Sequence, residues 1–101
     1  IANMLYEAGI EYEYEKELNL GEDGIRIPDF TIDDAESGLC FYWEHCGMLG
    51  DAAYSKHWHE KQAIYKKHGI IEGENLIVSK DSLNGGIDSA EIKRLTDTYL
   101  L

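Results

Sequence analysis

The stretch IRIPDFTIDDAESGLCFYWE, Ile25 to Glu44, sets two apolar runs on either side of a polar turn. Ile25 to Ile32, with Ile25, Ile27, Phe30 and Ile32, predicts a strand. Pro28 inside it removes a ladder hydrogen bond and marks an irregularity or an edge. Asp33 to Gly38 predicts a turn. Leu39 to Glu44 alternates, with Leu39, Phe41 and Trp43 on one face and Cys40, Tyr42 and Glu44 on the other, the period of a strand. A connection this short predicts antiparallel pairing of the two runs.

Working outward, Glu11 to Leu18 also alternates: Tyr12, Tyr14, Lys16 and Leu18 against Glu11, Glu13, Glu15 and Glu17. It predicts a first, half-buried strand, joined to Ile25 by a turn over Asn19 to Gly24. Before it, Ile1, Met4, Leu5 and Ala8 fall at helical spacing, and Gly9 sits where a helix stops. After Glu44, Tyr54, Trp58, Lys61, Tyr65 and His68 form the stripe of a helix over Asp51 to His68, with Gly69 as its stop. Asn75 to Ser79 predicts a short strand. Asp88 and Glu91 have capping-box spacing ahead of Ile92, Leu95 and Tyr99, which predicts a last helix. The order is helix, three-strand antiparallel meander, helix, strand, helix: an α/β fold with a mixed sheet flanked by helices. The strand after the long helical crossover should pair parallel to an earlier one.

Composition bounds the function. A chain of 101 residues makes one domain, residues 1–101, and 44% hydrophobic residues exclude a disordered tail. No run approaches the roughly 18 apolar residues of a membrane helix, so no bilayer span is expected. Two cysteines are too few for a secreted disulfide scaffold and suit a reducing interior, with the cytoplasm as the default location. Twenty acids against nine bases give a net charge of −11, which argues against a module held to nucleic acid by charge alone. The chain opens at Ile1 within a helical pattern and reads as a piece of a larger protein.

Two acids stand out by setting. Asp29 follows Pro28 in an apolar strand, and Glu44 closes the aromatic run Phe41-Tyr42-Trp43. A carboxylate there costs several kcal/mol to desolvate unless it is paired. Magnesium takes one or two carboxylates plus waters and phosphate oxygens, so two acids on neighbouring strands suit it. Lys61, between Trp58 and Tyr65 on the helix stripe, either snorkels outward or points at an acid. Glu13 and Glu15 read as a solvated face. Cys40, His45, Cys46, His57 and His59 lie close in sequence, but their spacing matches no zinc signature. His45 is either a proton-transfer group beside Glu44 or an ordinary polar residue at a strand end. Trp43, Tyr54, Trp58 and Tyr65 have the spacing of core residues.

The helix, the strand Tyr12-Glu13-Tyr14-Glu15, then Ile27-Pro28-Asp29-Phe30 and Tyr42-Trp43-Glu44-His45 resemble the core of the PD-(D/E)XK nuclease superfamily. With Gly47, Tyr54, Trp58, Lys61 and Tyr65, the string is similar to the nuclease-like domains appended to UvrD/Rep-type bacterial DNA helicases. The resemblance covers nearly the whole chain. It implies a restriction-endonuclease-like core and Mg²⁺-dependent (or Mn²⁺-dependent) phosphodiester cleavage of DNA, beside a helicase domain of the parent protein. It makes Asp29 and Glu44 the metal ligands. The family's lysine lies two residues after the glutamate, where this chain has Cys46; Lys61 on the next helix is the expected substitute. The acid that many members carry on the first helix has only Glu7 to match it. The other reading is a nuclease-derived interaction module without catalysis, which Cys46 and the −11 charge favour.

Overall fold

The computed structural model describes residues 2–34, 37–47, 50–81 and 88–100. Its centre is β5, Cys40–Cys46. This strand is covered on both faces, which is why it reads as a nearly unbroken aromatic and apolar run. On one side it pairs antiparallel with β4, Phe30–Asp33, in the register Phe30↔Trp43. On the other it pairs parallel with β6, Leu76–Lys80, in the register Glu44↔Val78. The parallel pairing follows from the crossover through α2, Ala52–Lys67. A two-residue strand β1, Glu13–Tyr14, pairs antiparallel with β4 and completes the mixed four-stranded sheet, in the order β1-β4-β5-β6.

Two of the expected strands are shorter than their sequence patterns. The alternation over Glu11 to Leu18 is broken at Glu15, whose φ of 51° is left-handed and turns the chain out of the sheet. Its N–H still reaches the Asp29 carbonyl at 3.1 Å. The run Ile25 to Ile32 is split at Pro28, which has no N–H to give. Its first half, β3 (Ile25–Arg26), instead pairs with β2 (Leu18–Asn19) as a separate two-stranded ribbon. The turn between them holds a 3₁₀ segment, Gly21–Asp23. The antiparallel meander is therefore β1-β4-β5, with the ribbon as an excursion between its first two strands.

The helices obey their caps. The Asp51 side chain accepts from the Tyr54 N–H at 2.9 Å to open α2, and Gly69 leaves it at φ +79°. Asp88 accepts from the Ala90 N–H at 3.0 Å and opens α3, Ser89–Leu100. The first helix, α1, runs over Ala2–Glu7; Ile1 and residues 35–36 of the expected turn lie outside the described residues.

The sheet divides the core in two. On one face Phe30, Ile32, Phe41, Trp43 and Ile77 pack against Leu5 of α1 and Ile92 and Leu95 of α3. On the other face Cys46, Leu76 and Val78 pack against Trp58 and Tyr65 of α2 and Leu20 of the ribbon. The ribbon is fastened to the end of α2 by Asp23, whose carboxylate meets His68 Nε2 at 2.7 Å and Lys67 Nζ at 3.1 Å. Among the described residues, no helix is long and apolar enough to cross a membrane.

Candidate functional site

The register places the two singled-out acids side by side. Phe30 lies opposite Trp43 and points into the α1/α3 layer, so the preceding Asp29 and the following Glu44 share the α2 face. Each carboxylate grips the other strand's backbone. The Asp29 N–H donates to Glu44 Oε1 at 3.0 Å, and the His45 N–H donates to Asp29 Oδ2 at 2.7 Å. This exchange stands where the regular ladder stops, just after Pro28.

Glu44 is 4% exposed. Its second oxygen, Oε2, takes an ion pair from Lys61 Nζ and a hydrogen bond from the Tyr65 hydroxyl at 3.2 Å. Burial pushes the Glu44 carboxyl up from its usual value; the hydrogen bond and charge of Lys61 pull it back down. The same burial, with Glu44 as neighbour, drives the Tyr65 phenol upward, so it stays a hydroxyl and a donor. Lys61 also approaches the Ile27 carbonyl at 3.5 Å. Asp29 is half-buried, and no described residue bonds its Oδ1.

Asp29, Glu44 and Lys61 line a cleft of about 200 Å³ between the sheet and α2, with His45, Cys46, Tyr54, His57 and Trp58. Cys46, at the position where the resemblance places a lysine, is buried; its thiol is pushed up to about 12 by burial and by Glu44 and Asp29. It is a neutral wall of the cleft. The cation in the cleft comes from Lys61, four residues before Tyr65 on the same helix stripe; of the two courses open to it, snorkelling outward or pointing at an acid, its Nζ takes the second.

Among the described residues, the other candidate side chains do not bond Asp29 or Glu44, although His45 and His57 border the same cleft. The imidazole of His45 turns away from Glu44 and bonds Ser79 Oγ through Nδ1 and Asp81 through Nε2, both at 2.7 Å. The Trp43 indole N–H donates to the same Ser79 oxygen at 2.9 Å. The donor inventory then assigns the Ser79 hydroxyl as donor to Nδ1, and Nε2–H as donor to Asp81. Ser79 is 0% exposed, so this Ser-His-Asp order ties β5 to the end of β6 and presents no nucleophile. His57, paired with Glu60 at 3.8 Å, and His59 are exposed. Among the described residues, no three His, Cys, Asp or Glu side chains gather as a metal cage. Glu13 is exposed and paired with Lys16 at 3.5 Å, and Glu15 is exposed. Glu7 sits on α1, in the layer across the sheet from the cleft.

Sequence reasoning treated Tyr65 as core alone. It is fully buried and also the neutral partner of Glu44. Its place one helical turn after Lys61 was a usable signal, because a buried phenol needs an acceptor.

No known protein-family model matches the chain. A segment of 71 residues, 69% of the chain, is 39% identical to the uncharacterized protein MJ1519 of Methanocaldococcus jannaschii. The chain spans 6% of that protein's length. What fold and site together define is a small α/β protein with, among the described residues, a mixed four-stranded sheet, three α-helices and an acid pair countered by a lysine in a cleft.

Proposed function

We propose that the chain is a restriction-endonuclease-like domain that hydrolyses DNA phosphodiesters with Mg²⁺, within a helicase-linked protein. The observation that carries this reading is the pairing of Asp29 and Glu44, fifteen residues apart, on one face of the sheet in a cleft with Lys61.

The donor set fits a hard divalent ion. Two carboxylates supply oxygen ligands and Asp29 Oδ1 is open, while magnesium keeps waters and takes substrate oxygens for its other positions. A three-residue protein cage is not required. When bound, the ion would lower the pKa of a water and polarise the scissile phosphate. Asp29 and Glu44 hold it. Their backbone grips fix both carboxylates before loading, so little ordering is left to pay for on binding. Lys61 faces the growing negative charge on the phosphate, in a site where Trp58 and Tyr65 exclude bulk water.

The substrate class rests on charge placement. Of the nine basic residues, Lys56, Lys61, Lys66 and Lys67 lie on α2, whereas Glu60 is the one acid of twenty within that helix. The helix beside the cleft is thus the basic element of an acidic chain, suited to approach a phosphate backbone. The rest of the charge is for a neighbouring domain to offset.

The test is cleavage of end-labelled DNA by the parent protein with Mg²⁺ or Mn²⁺. Asp29→Ala and Glu44→Ala should each abolish it; unchanged cutting in both variants overturns the assignment. The second reading, an interaction module without catalysis, is favoured by the neutral Cys46 at the usual lysine position. Metal that leaves the melting temperature of the wild-type chain unmoved would favour it, since ligands that bind the folded state raise that temperature.

A further inference from the structure

Glu44 presents one oxygen to Asp29's backbone and the other to Lys61 and Tyr65, so both lone-pair regions facing protein are taken. A divalent cation arriving between Asp29 and Glu44 meets an ammonium already on Glu44 Oε2. Two cations cannot share that oxygen in a buried site without strong repulsion. The lysine, however, has somewhere to go. Its side chain is 28% exposed, and its Nζ lies 3.5 Å from the carbonyl of Ile27, a residue that is itself 46% exposed, so solvent is within its reach. Tyr65 has no such route: it is fully buried, and its hydroxyl stays with Glu44.

We infer that Lys61 is a displaceable counter-ion: it neutralises Glu44 while the site is empty of metal and is driven outward, into solvent, when a divalent cation binds Asp29 and Glu44. This inference rests on the metal-site reading above and adds an order of events to it. The lysine becomes available to a phosphate at the cleft mouth only after the metal is in place. It also explains how a buried glutamate is tolerated in the metal-free chain, since an uncompensated carboxylate there would be strongly destabilising.

The consequence is measurable without catalysis. A site blocked in about nine of ten molecules binds about tenfold more weakly than the open one. Titrating Mn²⁺ calorimetrically into the 101-residue chain, Lys61→Met should bind roughly tenfold more tightly than wild type. Lys56→Met, on the outer side of the same helix, should bind as wild type does. Because removing any nearby positive charge also helps a cation, a second measurement follows the lysine itself in the wild-type chain. Acetylation of Lys61, read by peptide mass spectrometry, should rise several-fold with Mn²⁺ while that of Lys56 stays constant. This arm also holds if Lys61→Met fails to fold. Mn²⁺ binding by wild type with a flat Lys61 acetylation, or with equal or weaker affinity in Lys61→Met, overturns the displacement and leaves the metal site standing. No Mn²⁺ binding by any variant overturns the metal site itself.

Discussion

Replacing Lys61 by Met keeps an unbranched side chain but removes the ammonium, which lies 5.6 Å from the Tyr65 ring centroid, from a glutamate that is 4% exposed. Breaking a fully buried ion pair costs about 3–5 kcal/mol. Lys61 is 28% exposed on its side chain, so water shares in its solvation and the cost falls to about 2–3 kcal/mol near pH 8. The pH dependence gives the prediction its edge. Burial already raises the Glu44 carboxyl above its usual value, and Lys61 is the main force pulling it back. Without Lys61 it rises further. A carboxyl whose folded value lies above its unfolded value of about 4.3 binds protons more firmly when folded. Its contribution is fully present below the unfolded value and is lost as pH rises through the folded one. Lys61→Met should therefore be most destabilised at pH 8 and recover as the pH falls and Glu44 takes up a proton. With a urea dependence of about 1–1.5 kcal/mol per molar for a small domain, the midpoint should fall by about 2 M at pH 8 and by much less at pH 5. Equal losses at both pH values, or a loss under about 1 kcal/mol at pH 8, would mean that Glu44 is not buried as an anion held by this lysine.

Two further outcomes follow from the ribbon and the strand break. Asp23 is held below its usual value by its hydrogen bonds to His68 and Lys67, so its stabilising effect is present above the unfolded carboxylate value and lost as pH falls through the folded one. Asp23→Asn should flatten the acid limb of the stability–pH profile between about pH 4 and its lower end, and a limb unchanged in slope would contradict the contact. Glu15 adopts a left-handed φ of 51°, which costs a side-chain-bearing residue about 1–2 kcal/mol; glycine gives part of that back in lost chain entropy. Glu15→Gly should raise stability by about 0.5–1 kcal/mol in thermal unfolding, and a fall would mean that the Glu15 side chain holds the turn.

The order of elements was legible because each has a local physical cause. Alternation over Leu39 to Glu44 marked a strand, though not that it is the central one, and Asp51, Gly69 and Asp88 marked helix ends where the caps stand. The meeting of Asp29 with Glu44 was legible too, since a period of two puts residues flanking a cross-strand pair on one face. What the pattern could not carry was how far each strand stays in the sheet. Tyr12-Glu13-Tyr14-Glu15 alternates whether or not Glu15 turns left-handed, and the apolar residues around Pro28 do not say which partner Ile25 takes. The ribbon is decided by Leu20 burying against α2 and by Asp23 reaching His68, both contacts distant in sequence. Of the two readings of His45, the polar residue at a strand end is the one its side-chain partners fit; those partners, Ser79 and Asp81, lie at and just past the end of β6, more than thirty residues on, where no local pattern points to them.

The pairing of α1 with α3 on the far face of the sheet has a consequence for the cleft. Leu5 and Leu95 bury in the same layer, across the sheet from Asp29 and Glu44, so a change in how those two helices pack reaches the acid pair only by way of the strands between them.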